Sequence, residues 1–142
     1  GGATLSTLRA VLLEAEADRP AARIHPQVDV RSAGDLLVRA GFALPVADVE
    51  TLNVRYASLL DLVRDLRGMG ATSLLPGAPP LTRETLARAA ALFAARADAE
   101  GRTVERFDTI FLTGWAPAPS HPQPARLGSA TTSLAQALKP TP

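Results

Sequence analysis

Cysteine is missing from this 142-residue chain, which excludes disulfide scaffolds, cysteine-based zinc sites and thiol nucleophiles. Histidine is scarce. His25 and His121 each lie beside a proline, no His-x-x-x-His or His-Glu-x-x-His spacing is present, and both read as exposed loop residues. Charge of one sign is lacking as well. Fifteen basic residues face fourteen acidic ones, net +1, so there is no electrostatic footprint for nucleic acid or for an anionic membrane. Lysine is confined to Lys139, every other basic residue being arginine, which a GC-rich coding bias explains. No apolar run approaches the ~20 residues that span a bilayer. The start, Gly1-Gly2-Ala3-Thr4, has no basic leader, no signal-peptide core and no initiating Met. A cytoplasmic fragment or processed product is therefore expected.

What is present is enough apolar material, 46% of residues, for one domain with a real core. The most informative stretch runs from Val54 to Gly70. Residues 51–56 alternate, with Leu52, Val54 and Tyr56 on one face and Thr51, Asn53 and Arg55 on the other. That is the period of a half-buried strand. Ser58 then stands at an N-cap position, with Asp61 three residues on. Leu59, Leu62, Val63 and Leu66 recur at helical spacing, and Gly68 and Gly70 end the helix. No Gly-x-Gly-x-x-Gly follows a strand, so Gly68-Met69-Gly70 reads as a helix stop and not as a phosphate cradle.

Around this stretch, a first helix is expected over about residues 4–18, turning Leu5, Leu8, Leu12 and Ala15 inward. Pro20 and Pro26 mark a surface connection. Ser32 and Asp35 repeat the capping pattern for a short helix that turns Leu36, Leu37 and Ala40 inward and closes at Gly41. An extended segment interrupted by Pro45 follows. Residues 71–81 form a loop, and Thr82 caps a long helix to about Glu100, with Leu86, Ala90, Phe93 and Ala97 on its inner side. Residues 104–114 read as a strand covered on both faces, with Trp115 packed at its end and Asp98, Glu100 and Glu105 as solvated charges. Helix, glycine and apolar strand in succession give an α/β class. From residue 117 onward, Pro117, Pro119, Pro122 and Pro124 oppose regular structure, apart from one helical turn at 133–138. The chain thus divides into a domain at 1–116 and a proline-rich tail at 117–142.

Arg55, Tyr56, Arg64 and Arg67 gather near one strand–helix junction. Two readings stand: surface ion pairs with Asp61 and Asp65, or a junction that recognises an anion through guanidinium forks.

Five segments carry a resemblance: Leu37-Val-Arg-Ala-Gly-Phe-Ala-Leu-Pro-Val46, Val54-Arg-Tyr56, Asp65-Leu-Arg-Gly-Met-Gly70, Leu112-Thr-Gly-Trp-Ala-Pro117 and Gly128-Ser-Ala130. In this order and spacing the chain resembles the C-terminal part of a family of Rossmann-like, S-adenosylmethionine-dependent class I methyltransferases. That family includes malonyl-acyl-carrier-protein methyltransferases and the methyltransferase-fold assembly factors of respiratory complex I. The resemblance implies an antiparallel strand pair, residues 51–56 and 104–114, closing a larger sheet under covering helices. It implies that the cofactor's glycine-rich loop and ribose-binding acid lie upstream of Gly1, so that no cofactor binds this chain alone. It places Tyr56, Arg64, Arg67, Gly68, Met69 and Gly70 at the pocket of a small-molecule or protein-borne methyl acceptor. A partner-binding or assembly-factor-like module, completing its sheet as a homodimer, is the alternative it leaves. Where the family's tail carries His-Glu-Ser-Gln, this chain reads Ala118-Pro119-Ser120-His121.

Overall fold

The computed structural model describes residues 1–120, 128, 129 and 133. The readings made for His121, Pro122, Pro124, Ala130 and residues 134–138 lie outside them. Chain order is α1 (Ser6–Ala15), α2 (Val30–Arg39), β1 (Ala43–Tyr56), α3 (Leu59–Gly68), α4 (Arg83–Ala94) and β2 (Thr103–Trp115). The class is α/β. β1 and β2 form one antiparallel sheet in register from Val46↔Thr113 to Tyr56↔Thr103. Pro45 does not interrupt β1. It falls in the register shift between Ala43 and Val46, where Leu44 takes a positive φ of 47°.

Register sorts the side chains into two faces. Leu52, Val54, Tyr56, Thr103, Glu105 and Phe107 share one, and α1, α3 and α4 pack on its Tyr56 end. Leu8, Val11 and Leu12 of α1, Leu59, Leu62 and Leu66 of α3, and Ala89 and Phe93 of α4 meet Tyr56 there to form the core. Ala47, Val49 and Leu112 belong to the opposite face, which α2 covers with its small residues. Ala33 is buried, and the Cβ of Ala47 lies 3.4 Å from where a Cβ on Gly34 would stand.

Caps decide where the helices begin. Ser58 Oγ accepts from Asp61 N at 3.2 Å and donates to Asp61 Oδ2 at 2.7 Å, the expected box. At the other end Ala71 N donates to Leu66 O and Gly70 N to Arg67 O, with Gly70 at φ 71°. This is a Schellman ending, which only glycine adopts without strain. α2 starts earlier than the Ser32 cap implied. Asp29 is its cap, accepting from both the Ser32 amide and the Ser32 hydroxyl, so Ala33 turns inward while Leu36 and Ala40 are exposed. α4 is shorter than expected. Thr103 Oγ1 donates to Phe93 O at 2.7 Å, and Asp98 Oδ1 collects the Glu100 and Arg102 amides. The chain therefore reverses at Gly101 instead of continuing the helix. Its buried residues are Thr85, Ala89 and Phe93, so Leu86 and Ala97 leave the inner side.

Three further expectations are corrected. β2 is not covered on both faces: Phe111 is 53% and Leu112 47% exposed. Trp115, 50% exposed, is not packed at the sheet end. Both follow from a two-stranded sheet too long for the helices that cover it. Glu105 is not a solvated charge. It is fully buried, and its carboxylate accepts from Thr7 N at 3.1 Å and Leu8 N at 2.7 Å. α1 opens at Leu5 with no side-chain cap of its own, and Glu105 supplies from β2 the anion that the helix N-terminus needs.

Candidate functional site

β1 and α3 diverge from the Tyr56–Ser58 turn, and the wedge between them is a cavity of about 690 Å³. Its floor is the sheet face at Leu52, Val54, Phe107 and Thr109; its wall is Arg64, Asp65, Gly68 and Met69, with Tyr56 at the apex. Arg64 and Gly68, like Asp65 and Met69, stand four residues apart, so one stripe of α3 faces the sheet. Of the six residues expected at an acceptor pocket, Tyr56, Arg64, Gly68 and Met69 line the cavity. Arg67 and Gly70 are exposed at the end of α3 and are not among its walls.

The electrostatics differ from an anion-recognising junction. Arg55 projects from the other sheet face, where its guanidinium pairs with Asp98 at 2.6 Å and Glu100 at 3.0 Å. Those bonds raise its pKa, and the Asp98 carboxyl is held low, first by the Arg102 amide and then, after burial's opposing effect, by Arg55. Arg64 pairs with Asp61 at 2.9 Å. The charged groups lining the cavity are this Arg64 guanidinium and the Asp65 carboxylate. Tyr56 is 6% exposed; burial first, then its hydrogen bond to Asp65 and the negative charges of Asp65 and Glu105, push its pKa up to about 12. The apex is therefore a neutral phenol beside a carboxylate. Sequence reasoning missed Asp65 and Phe107 as lining residues. The i, i+4 relation of Asp65 to Met69 was available, whereas Phe107 reaches the site only through its pairing with Leu52.

A second cavity of about 370 Å³ adjoins the first, Met69 and Phe107 lining both. Its base is Leu5, Leu8, Leu12 and Leu66, and its rim carries His25, Gln27, Thr72 and Ser73. His25 is an exposed loop residue, as expected, yet its Nε2 accepts from Leu74 N at 3.0 Å and ties the two rim loops together. Arg23 on this rim is neutralised by Glu16 and also donates to Pro79 O. Among the described residues no group of three or more His, Cys, Asp or Glu could hold a metal ion.

The fold therefore presents a strand-paired α/β layer with an apolar, aromatic-lined wedge at a strand–helix turn. Its kinship comes from similar proteins. The chain is 35% identical to the mitochondrial arginine-hydroxylase NDUFAF5 of Danio rerio over 98% of its length, covering 45% of that protein. It is 33% identical to the human protein of the same name over 96% of its length, covering 41%. To the malonyl-[acyl-carrier protein] O-methyltransferase of Halorhodospira halophila it is 33% identical over 66% of its length, covering 33%. No family profile and no solved structure matches. The chain belongs to the class I methyltransferase-like family that unites these proteins, and it spans less than half the length of those relatives.

Proposed function

We propose that the chain is the C-terminal, acceptor-side portion of an S-adenosylmethionine-dependent methyltransferase-like protein, contributing the last strands of a Rossmann-like sheet and one wall of the acceptor pocket. The outer edge of β2 carries this reading. Residues 4–7 use that edge at one end only. Leu5 N donates to Arg106 O, Thr7 Oγ1 to Val104 O, and Asp108 N to Thr4 Oγ1. By antiparallel alternation Ile110 and Leu112 present the same outward backbone row, and it has no partner among the described residues. The neighbouring Phe111 and Leu112 side chains are half exposed. A larger sheet would cover this row and those side chains, while an isolated one leaves them wet.

The residues here do not suit the cofactor. Among the described residues the single strand-to-helix turn, 56–58, has no glycine, and the Ser58 hydroxyl is committed to its cap. Methyl transfer depends chiefly on holding donor and acceptor in line, and this chain supplies only the acceptor side, through Tyr56, Arg64, Gly68 and Met69. The domain extends over 1–116, with 117–142 as an appended tail. Cytoplasmic residence is part of the same reading, although the animal relatives are named as mitochondrial proteins; no helix among the described residues is long and apolar enough to cross a membrane. Titrating S-adenosylmethionine calorimetrically into these 142 residues should give no binding heat, and an upstream-extended chain should bind. Binding by the 142 residues themselves would overturn the reading.

The Asp65 carboxylate favours a second reading, in which the pocket takes a cation. With Arg64 paired to Asp61, a guanidinium on an aliphatic stem fits the wedge better than a carboxylate does. The relatives named arginine-hydroxylases make that head group concrete. In this reading the family fold serves recognition or other chemistry in a partner-binding module. Free arginine amide should then bind, and Asp65→Asn should abolish that binding.

A further inference from the structure

The two cavities adjoin. They share the side chains of Met69 and Phe107, so whatever fills the wedge beside Asp65 lies against the same two groups that close the chamber under α1. We infer that this protein selects an elongated ligand, whose uncharged aliphatic stem crosses Met69 and Phe107 into the second chamber. This rests on the cationic reading of the first chamber for the head group only.

Three observations carry it. First, the divider is soft. Met69 is the C-cap of α3 and is 60% exposed, and an unbranched thioether adapts to a neighbour more readily than a branched side chain. The flanking Gly68 and Gly70 place no side chain beside it, and a Cβ built at either would meet nothing within 4 Å. Second, the chamber beyond is chemically bland. Leu5, Leu8, Leu12 and Leu66 make its base, and Arg23, its one formal charge, is already bound to Glu16. An alkyl stem is accepted there, and a second charge would be left without a partner. Third, the rim is fixed. The His25–Leu74 bond at 3.0 Å joins the two loops that frame the opening, and within one of them Gln27 Nε2 donates to His25 O at 3.1 Å, which favours a chamber formed before a ligand arrives.

The test uses butylguanidinium and octylguanidinium titrated into the full chain, with heat and methyl chemical shifts of Leu8 and Leu12 as readouts. Each methylene moved from water to an apolar wall is worth about fourfold in affinity. Octylguanidinium should therefore bind at least about tenfold more tightly than butylguanidinium and shift both leucines. Thr72→Trp, a rim substitution at an exposed loop residue, should remove the octyl advantage, so that the two probes bind alike. Equal affinity of the two probes, an octyl advantage that survives Thr72→Trp, or unshifted leucines would overturn the inference. Asp65→Asn separates the two claims. If it leaves both affinities unchanged while the octyl advantage persists, the cationic head fails and the stem chamber stands. If neither probe binds, both fall.

Discussion

Tyr56 and Glu105 are polar side chains that folding takes out of water. Tyr56 is the only tyrosine, so its ionisation can be followed directly. Its folded pKa of about 12 lies above the ordinary 10.0. Between those values the native state keeps a proton that the unfolded chain has lost. The stabilisation is complete below pH 10 and disappears as pH rises towards 12. Absorbance at 295 nm should show the phenolate of the folded protein rising with a midpoint near pH 12, and the loss of stability above pH 10 should be smaller in Tyr56→Phe. A phenolate appearing near pH 10 in folded protein would refute this. Glu105 is a buried acceptor for two helix amides, so Glu105→Ala leaves Thr7 and Leu8 N–H unsatisfied inside the core. We expect a loss on the order of 3 kcal/mol in urea unfolding, with a smaller loss for Glu105→Gln, which keeps one acceptor oxygen.

Among the elements, the helices owe their positions to local signals and their inner faces to tertiary packing. Ser58→Ala should cost about 1 kcal/mol by removing the α3 cap. Gly34 lies in the interior of α2, where glycine costs up to about 1 kcal/mol relative to alanine. Its missing Cβ would sit 3.4 Å from the Ala47 Cβ, an ordinary contact, so Gly34→Ala should raise stability by about 0.5–1 kcal/mol. Gly114 answers differently. A Cβ there would approach the Phe42 Cβ to 2.9 Å and its ring to 3.0 Å. Gly114→Ala should therefore destabilise the uncovered end of the strand pair by about 1–3 kcal/mol. Thermal unfolding of the pair distinguishes a helix effect from a packing clash, since the two substitutions are chemically identical and opposite in sign.

For the whole molecule, the sheet is longer than its cover. Phe111, Leu112, Val46 and Trp115 are all about half exposed along a strand pair whose β2 outer edge, among the described residues, is bonded only towards its Thr103 end. Such a surface drives association. Sedimentation velocity should show concentration-dependent mass above that of a monomer, and Phe111→Lys with Leu112→Lys should return it to monomer without changing unfolding free energy by more than about 1 kcal/mol. A monomer at all concentrations would mean that the exposed face needs no partner.

The sequence by itself determined the α/β class, the strand ending at Tyr56, the Ser58 cap and the glycine exit of α3. These rest on spacing and capping within a few residues, so neighbouring side chains suffice to specify them. The kinship was legible too, because it is carried by ordered short segments such as 65–70 and 112–117. Tertiary structure alone decided the charge of the site. Arg55 and Tyr56 are adjacent in sequence, yet strand alternation sends them to opposite faces, and Asp98 and Glu100 capture the arginine from 43 and 45 residues away. It also decided that Glu105 is buried, because the amides it serves lie nearly a hundred residues upstream. A contact across such a separation leaves no periodicity in the sequence, and only the folded chain brings its two ends together.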